Sequence, residues 1–102
     1  MSEIVIKVSD YCRMPGVKLR VDGKESGQEF REDILTPALL AFSKVTVDFD
    51  GVLSLGSNFL HEVFTELVLK DGFTASELRQ KMLVRFDLAS YIEEIWMGIN
   101  NA

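Results

Sequence analysis

Residues 44–64 read KVTVDFDGVLSLGSNFLHEVF, and this stretch decides the fold. Its first part, 44–49, is short, rich in β-branched residues and followed by an Asp-Gly turn, which predicts a strand covered on at least one face. Its second part begins at Ser57, beyond which apolar side chains recur at helical spacing opposite Glu62 and Glu66. The stretch therefore predicts a strand, a loop and the clearest amphipathic helix of the chain.

The segments on either side predict further strands and helices. Before the stretch come a strand hairpin at 4–8 and 17–21 and a helix that starts with a capping box at 26–29 and bends or restarts at Pro37. After it come a short helix that follows a second capping box at 74–77, a strand at 83–86, and a last helix capped by Asp87. Strand–helix–strand crossovers give parallel neighbours and a hairpin gives an antiparallel one. The prediction is an α/β domain with a small mixed β-sheet of about four strands and helices packed mainly on one face.

Length and charge limit what the chain can be. It has 102 residues and a net charge of −5 from 11 basic and 16 acidic side chains. A chain of this length builds one hydrophobic core, so residues 1–102 are predicted to form a single domain. The basic residues do not cluster, which argues against a nucleic-acid partner. The longest apolar run, 38–42, is far below the roughly 20 residues that span a bilayer, so no membrane association is expected.

The first residues and the cysteine content predict the compartment. Residues 3–7 place charged side chains around a short apolar run and do not resemble a secretion signal. Cys12 is the single cysteine and His61 the single histidine, so the chain forms no internal disulfide and assembles no zinc site. We expect a cytoplasmic protein that needs no cofactor.

The pair Asp48 and Asp50 at the end of the predicted central strand suggests phosphoryl-transfer chemistry. A hydrophobic strand ending in Asp-x-Asp-Gly resembles the first motif of haloacid-dehalogenase-type phosphatases, in which one carboxylate attacks phosphorus beside magnesium. That family also needs a lysine and a second acidic pair after a later strand, and here only Asp87 follows 83–86. A magnesium-dependent phosphatase using Asp48 and Asp50 is therefore the alternative function, not the leading one.

Two serines, Ser26 and Ser57, lie at the predicted starts of helices. Ser57 begins the strongest helix, where its side chain is predicted to cap free amides and where a phosphate would be stabilised by the helix dipole. A third possible function is an anion pocket near Gly23, Ser26 and Gly27 at the start of the preceding helix. Capping is the simpler role for both serines.

The stretch from Gly27 to about Leu69 resembles the STAS-like family of small bacterial and phage proteins. The residues that carry the resemblance are Gly27, Phe30, Arg31, the run 47–52, Ser57, Phe59 and the run 62–64. The resemblance implies a STAS-like domain, similar to the anti-sigma-factor antagonists. In those proteins a serine at the start of a helix is phosphorylated by a histidine-kinase-like ATPase, and phosphorylation breaks the complex.

The resemblance implies that Ser57 occupies the position of the phosphorylated serine. Gly56, Asn58 and Phe59 replace the other residues of the antagonists' Asp-Ser-Ser-Gly motif, and His61 replaces an acidic residue expected before Glu62. The resemblance implies a non-enzymatic regulatory module that binds a protein partner, either an ATPase-type kinase or an anti-sigma-like protein. The residues expected to contact the partner are Asp50, Ser57, Asn58, His61 and Glu62. Both a monomer and a homodimer remain open.

Overall fold

A computed structural model describes residues 2–102 and contains a three-stranded parallel β-sheet. The strands are β1 (Glu3–Lys7), β2 (Lys44–Asp48) and β3 (Met82–Arg85), and they lie in the order β1-β2-β3. Val5 pairs with Thr46, and Thr46 pairs with Leu83. Strand β2 is therefore central, which is where its β-branched sequence predicts it to be.

Helices connect the strands. They are α1 (Val8–Tyr11), α2 (27–41), α3 (57–69), α4 (Ala75–Lys81) and α5 (Ala89–Asn101), with a 3-10 turn at Arg20–Asp22. Helices α2 and α3 each contain one π turn, at Arg31–Leu35 and His61–Thr65. The π turn of α2 lies directly before Thr36 and Pro37, so the helix continues through the predicted break with a local change of hydrogen-bond register.

The helices pack on one face of the sheet. Burial alternates along β1 and β3, so that Val84 is buried and Leu83 is 58% exposed. The inner face packs on a core that includes Val47, Phe59 and Leu67. On the outer face Val5 and Leu83 flank Thr46 and remain exposed. This is the one-sided arrangement expected from the sequence.

The predicted hairpin is wrong, and its loss changes the sheet. Residues 17–21 form no strand, because the carbonyl groups of Val17 and Lys18 accept hydrogen bonds from the amides of Gly27 and Gln28. This segment is therefore tied to the start of α2 instead of to β1. The sheet consequently has three strands in place of about four, and it is parallel in place of mixed.

Of the four helix caps that the sequence predicts, the box at Thr74 forms in full, the box at Ser26 forms by its hydroxyl alone, and Ser57 and Asp87 do not cap their helices. The Thr74 hydroxyl and the Glu77 carboxylate form the predicted capping box of α4, and the Ser26 hydroxyl accepts from the Glu29 amide at the start of α2. Asp87 does not cap α5, whose N-cap residue is Leu88 without a side-chain hydrogen bond. Within residues 2–102, no helix has the length and apolar character needed to cross a membrane.

Candidate functional site

The turn after β2 is built around the Asp48 carboxylate. Asp48 Oδ1 accepts a hydrogen bond from the Asp50 amide at 2.9 Å, and Oδ2 lies 3.6 Å from Arg85 Nη1. Gly51 follows with φ of +88°, a conformation that side-chain-bearing residues rarely adopt. The carboxylate of Asp48 thus ends the strand and shapes the turn.

The rest of this loop is fixed against the segment that follows α1. The Leu53 amide donates to the Arg13 carbonyl at 2.7 Å, and the Gly56 amide donates to the Pro15 carbonyl at 2.8 Å. A Cβ atom on Gly56 would lie 3.2 Å from the Cα of Gly16, so the two chains approach closely. These contacts hold the start of α3 in place.

Ser57 is exposed at the first residue of α3, and its hydroxyl is not the cap that the sequence predicts. The N-cap residue is Gly56, in an extended conformation, and α3 has no side-chain cap. The capping position is one residue earlier than the sequence predicts. No hydrogen bond found within residues 2–102 uses the Ser57 hydroxyl. The hydroxyl is therefore chemically available.

Alanine substitution distinguishes this serine from the true caps. We expect Ser26→Ala and Thr74→Ala each to lower the free energy of unfolding by about 0.5–2 kcal/mol, because each removes an acceptor for a helix amide. Ser57→Ala should change it by less than about 0.5 kcal/mol. Urea denaturation of the three variants measures these values. A loss at Ser57 as large as that at Thr74 would show that Ser57 does cap α3.

Asn58 and His61 share the exposed start of α3 with Ser57. His61 lies one turn after Ser57, its side chain is half-exposed, and its Nε2 atom is 3.2 Å from Glu66 Oε1. Met14 and Leu53, on the two segments that support the helix start, expose 63% and 73% of their surface. We call Met14, Leu53, Ser57, Asn58 and His61 the Ser57 surface. It combines apolar and polar groups, as protein interfaces do.

Asp50 is exposed in the neighbouring turn, whereas Glu62 is not on this surface. The Glu62 side chain is 2% exposed, and its Oε2 atom accepts from Arg31 Nη2 at 2.9 Å. The π turn of α3 begins at His61 and includes Glu62, so this part of the helix does not follow regular 3.6-residue spacing. Glu62 is therefore inaccessible to a partner in this structure.

Arg31 is the centre of a buried network that no local sequence pattern predicts. Its guanidinium donates to the Glu62 carbonyl, to Glu62 Oε2 and to both carboxylate oxygens of Asp71, each at 2.9 Å. The Thr36 hydroxyl also donates to Asp71. Burial opposes the charge of Arg31, but the hydrogen bonds to Asp71 and Glu62 outweigh it and raise the pKa of the guanidinium. The network joins the π turns of α2 and α3.

The other two predicted sites are centred on buried, hydrogen-bonded side chains, those of Asp48 and Ser26. Asp48 is buried in the turn described above, Asp50 points away from the core, and no group of three acidic, histidine or cysteine residues within 2–102 is arranged to hold a metal ion. Ser26 is buried, and a Cβ on Gly27 would lie 3.0 Å from the Phe59 carbonyl. The start of α2 is therefore packed against α3, and the amides of Gly27, Gln28 and Glu29 already donate to Val17, Lys18 and Ser26.

A comparison with protein families identifies the class of domain. The family model described as STAS-like domain of unknown function (DUF4325) matches residues 26–85. The match runs from the cap of α2 to the end of β3 and includes both π turns and the start of α3. No curated protein and no solved structure matches the chain. The chain belongs to this STAS-like family, and the resemblance seen in its sequence is confirmed.

Proposed function

We propose that this domain is a non-enzymatic regulatory module that binds another protein through the Ser57 surface, and that phosphorylation of Ser57 controls the binding. The observation that carries the proposal is the position of Ser57. It is the exposed first residue of α3, and its hydroxyl makes no hydrogen bond among residues 2–102. Membership of the STAS-like family supports a regulatory role in general terms. Asp50, exposed in the neighbouring turn, belongs to the proposed contact region.

A phosphate on Ser57 would affect binding without unfolding the domain. Phosphorylation adds about −1.5 to −2 charges at neutral pH. The first amides of α3 have no acceptor within the helix, and the helix dipole favours a negative charge there, so the fold accommodates the phosphate. A partner that covers Leu53 and Met14 would have to desolvate the same phosphate, which opposes association. We therefore propose that the unphosphorylated form binds and the phosphorylated form is released.

The proposed partner is an ATPase-type kinase or an anti-sigma-like protein. Both are suggested by the likeness of the Ser57 position to the phosphorylated serine of anti-sigma-factor antagonists. The phosphatase alternative has no supporting contact, because the Asp48 carboxylate is buried and is bonded to the Asp50 amide and close to Arg85.

Phosphate transfer tests the switch. The domain is incubated with ATP and a histidine-kinase-like ATPase encoded in the same genome, and the intact mass is followed. We expect one added phosphate on the native chain and on Ser90→Ala, and none on Ser57→Ala. Ser90 is a matched control, because it is also exposed in the first turn of a helix. Phosphate that persists in Ser57→Ala, or that never appears with any such kinase, would contradict the proposal.

A further inference from the structure

Strand β1 has an open edge with main-chain groups that lack a partner in the sheet. The Ser2 carbonyl accepts from the Lys44 amide at 3.2 Å, so the main chain of Ser2 faces β2. Successive residues of a strand in a parallel sheet turn their main-chain groups to opposite edges, so Ile4 and Ile6 also face β2. The amides and carbonyls of Glu3 and Val5 and the amide of Lys7 consequently face the open edge, whereas the Lys7 carbonyl is the N-cap acceptor of α1. An extended strand could pair with all of them.

We propose that β1 pairs in antiparallel fashion with β1 of a second copy of this chain, about a two-fold axis at Val5. Val5 then exchanges two hydrogen bonds with Val5 of the second copy. The Lys7 amide of each copy donates to the Glu3 carbonyl of the other, which adds two hydrogen bonds to the two at Val5. Two three-stranded sheets thereby become one six-stranded sheet.

The charges of the outer face favour this pairing. Within one chain Glu3 lies beside Lys44, and Lys7 lies beside Asp48. The two-fold axis extends each pair into a row of four charges of alternating sign: Lys44, Glu3, then Lys7 and Asp48 of the second copy. Cross-strand pairs of opposite charge stabilise a sheet. Because the contact is isologous, the same row occurs twice.

The inner face of β1 is incompletely covered by the rest of the chain, which is typical of an edge strand that pairs with another chain. Ile4 and Ile6 are only half-buried, whereas Val45 and Val47 beside them on β2 are 1% and 0% exposed. An open cavity of about 330 Å³ lies next to Ile6 and is also lined by the apolar side chains of Phe30 and Ile34. The proposed pairing places Ile4 of the second copy opposite Ile6, at this cavity.

The opposite edge of the sheet does not offer the same match. Strand β3 has four residues, one fewer than β1, and its outer-face side chains, Leu83 and Arg85, offer no pair of opposite charges to a second copy. The edge of β1 is therefore the one suited to a second copy. A contact of a single strand buries little surface, so the dimer should be weak and depend on concentration.

Charge reversal tests the proposal by sedimentation equilibrium over a range of protein concentrations. The native chain should approach twice its mass of 11.5 kDa as the concentration rises. Glu3→Lys and Lys7→Glu should each raise the dissociation constant about tenfold or more, since each creates two like-charge pairs. The double variant Glu3→Lys/Lys7→Glu should return it to within about threefold of the native value. In the double variant the new side chains at positions 3 and 7 repel Lys44 and Asp48 of their own chain. This repulsion is the same in the monomer and the dimer, so it affects association little.

A backbone variant gives an independent readout. Val5→Pro removes an amide that faces the open edge and leaves the hydrogen bonds to β2 intact, so the variant should fold and remain monomeric. Far-UV circular dichroism checks that each variant is folded. A native chain that stays monomeric at millimolar concentration would overturn the proposal. So would a dimer that is unaffected by Val5→Pro, or one that the double reversal fails to restore when both single variants weaken it.

Discussion

Replacing Arg31 by alanine should lower the free energy of unfolding by about 3–5 kcal/mol, the largest effect that we expect from any single substitution. Arg31 is 2% exposed, and its removal leaves the Glu62 carboxylate buried without its cation. Breaking a buried ion pair by removing one partner costs about this much, because the remaining charge is neither solvated nor neutralised. Asp71 and the Glu62 carbonyl lose hydrogen bonds in the same variant. Urea denaturation at neutral pH measures the change.

Arg20 provides the matched control. It forms ion pairs with Glu29, Glu32 and Asp33, as many carboxylates as lie within 4 Å of Arg31, but its side chain is 40% exposed. Exposed ion pairs contribute about 0–1 kcal/mol, so Arg20→Ala should have a much smaller effect. Equal losses for the two variants would show that the number of ionic contacts, and not their burial, determines stability here.

Replacing Gly98 by alanine should also destabilise the domain, by about 1–3 kcal/mol. A Cβ atom on Gly98 would lie 2.6 Å from Thr65 Oγ1, where α5 packs against the π turn of α3. Alanine is intrinsically preferred to glycine in a helix by about 1 kcal/mol, but forcing an extra methyl group into a packed contact costs about 1–3 kcal/mol. We expect the packing cost to prevail. Chemical denaturation of Gly98→Ala and of the native chain gives the difference.

A second substitution should reverse the sign of this effect. In a Thr65→Ala background the clashing oxygen is absent, and the next nearest atom, Thr65 Cβ, is 3.9 Å away. There, Gly98→Ala should be neutral or stabilise the domain by up to about 1 kcal/mol through helix propensity. Gly16→Ala serves as the control in the native background, because the nearest atom to its Cβ would be 4.0 Å away. A Gly98→Ala loss that persists in the Thr65→Ala background would contradict this account of the contact.

Much of the architecture can be predicted from local sequence patterns. Strand β2 follows from its β-branched run, and α3 follows from its apolar stripe. The caps at Ser26 and Thr74 follow from serine or threonine placed three residues before glutamate. The segment 17–21 was mispredicted because alternation identifies an extended chain but not its neighbour. Val21 is 86% exposed, so this alternation does not mark a buried face.

The candidate site is harder to predict for two physical reasons. The π turn of α3 departs from the 3.6-residue period on which the assignment of exposed faces depends, and Glu62 lies within it. The pairing of Glu62 with Arg31 joins residues 31 positions apart, which no local pattern reveals. The only signal was that both residues belong to the STAS-like resemblance. The predicted cap of α3 is wrong by a single residue, since the N-cap residue is Gly56 and not Ser57.

The most direct test of the proposed function compares the affinity of three forms of the domain for the partner kinase or anti-sigma-like protein. They are the native chain, a form with phosphoserine at position 57, and a form with phosphoserine at position 90 as a control for charge at a helix start. Isothermal titration calorimetry should show native-like binding for the position 90 form and at least a tenfold loss for the position 57 form. Equal affinities for the native chain and the position 57 form would contradict the claim that this surface is a phosphorylation-controlled binding site.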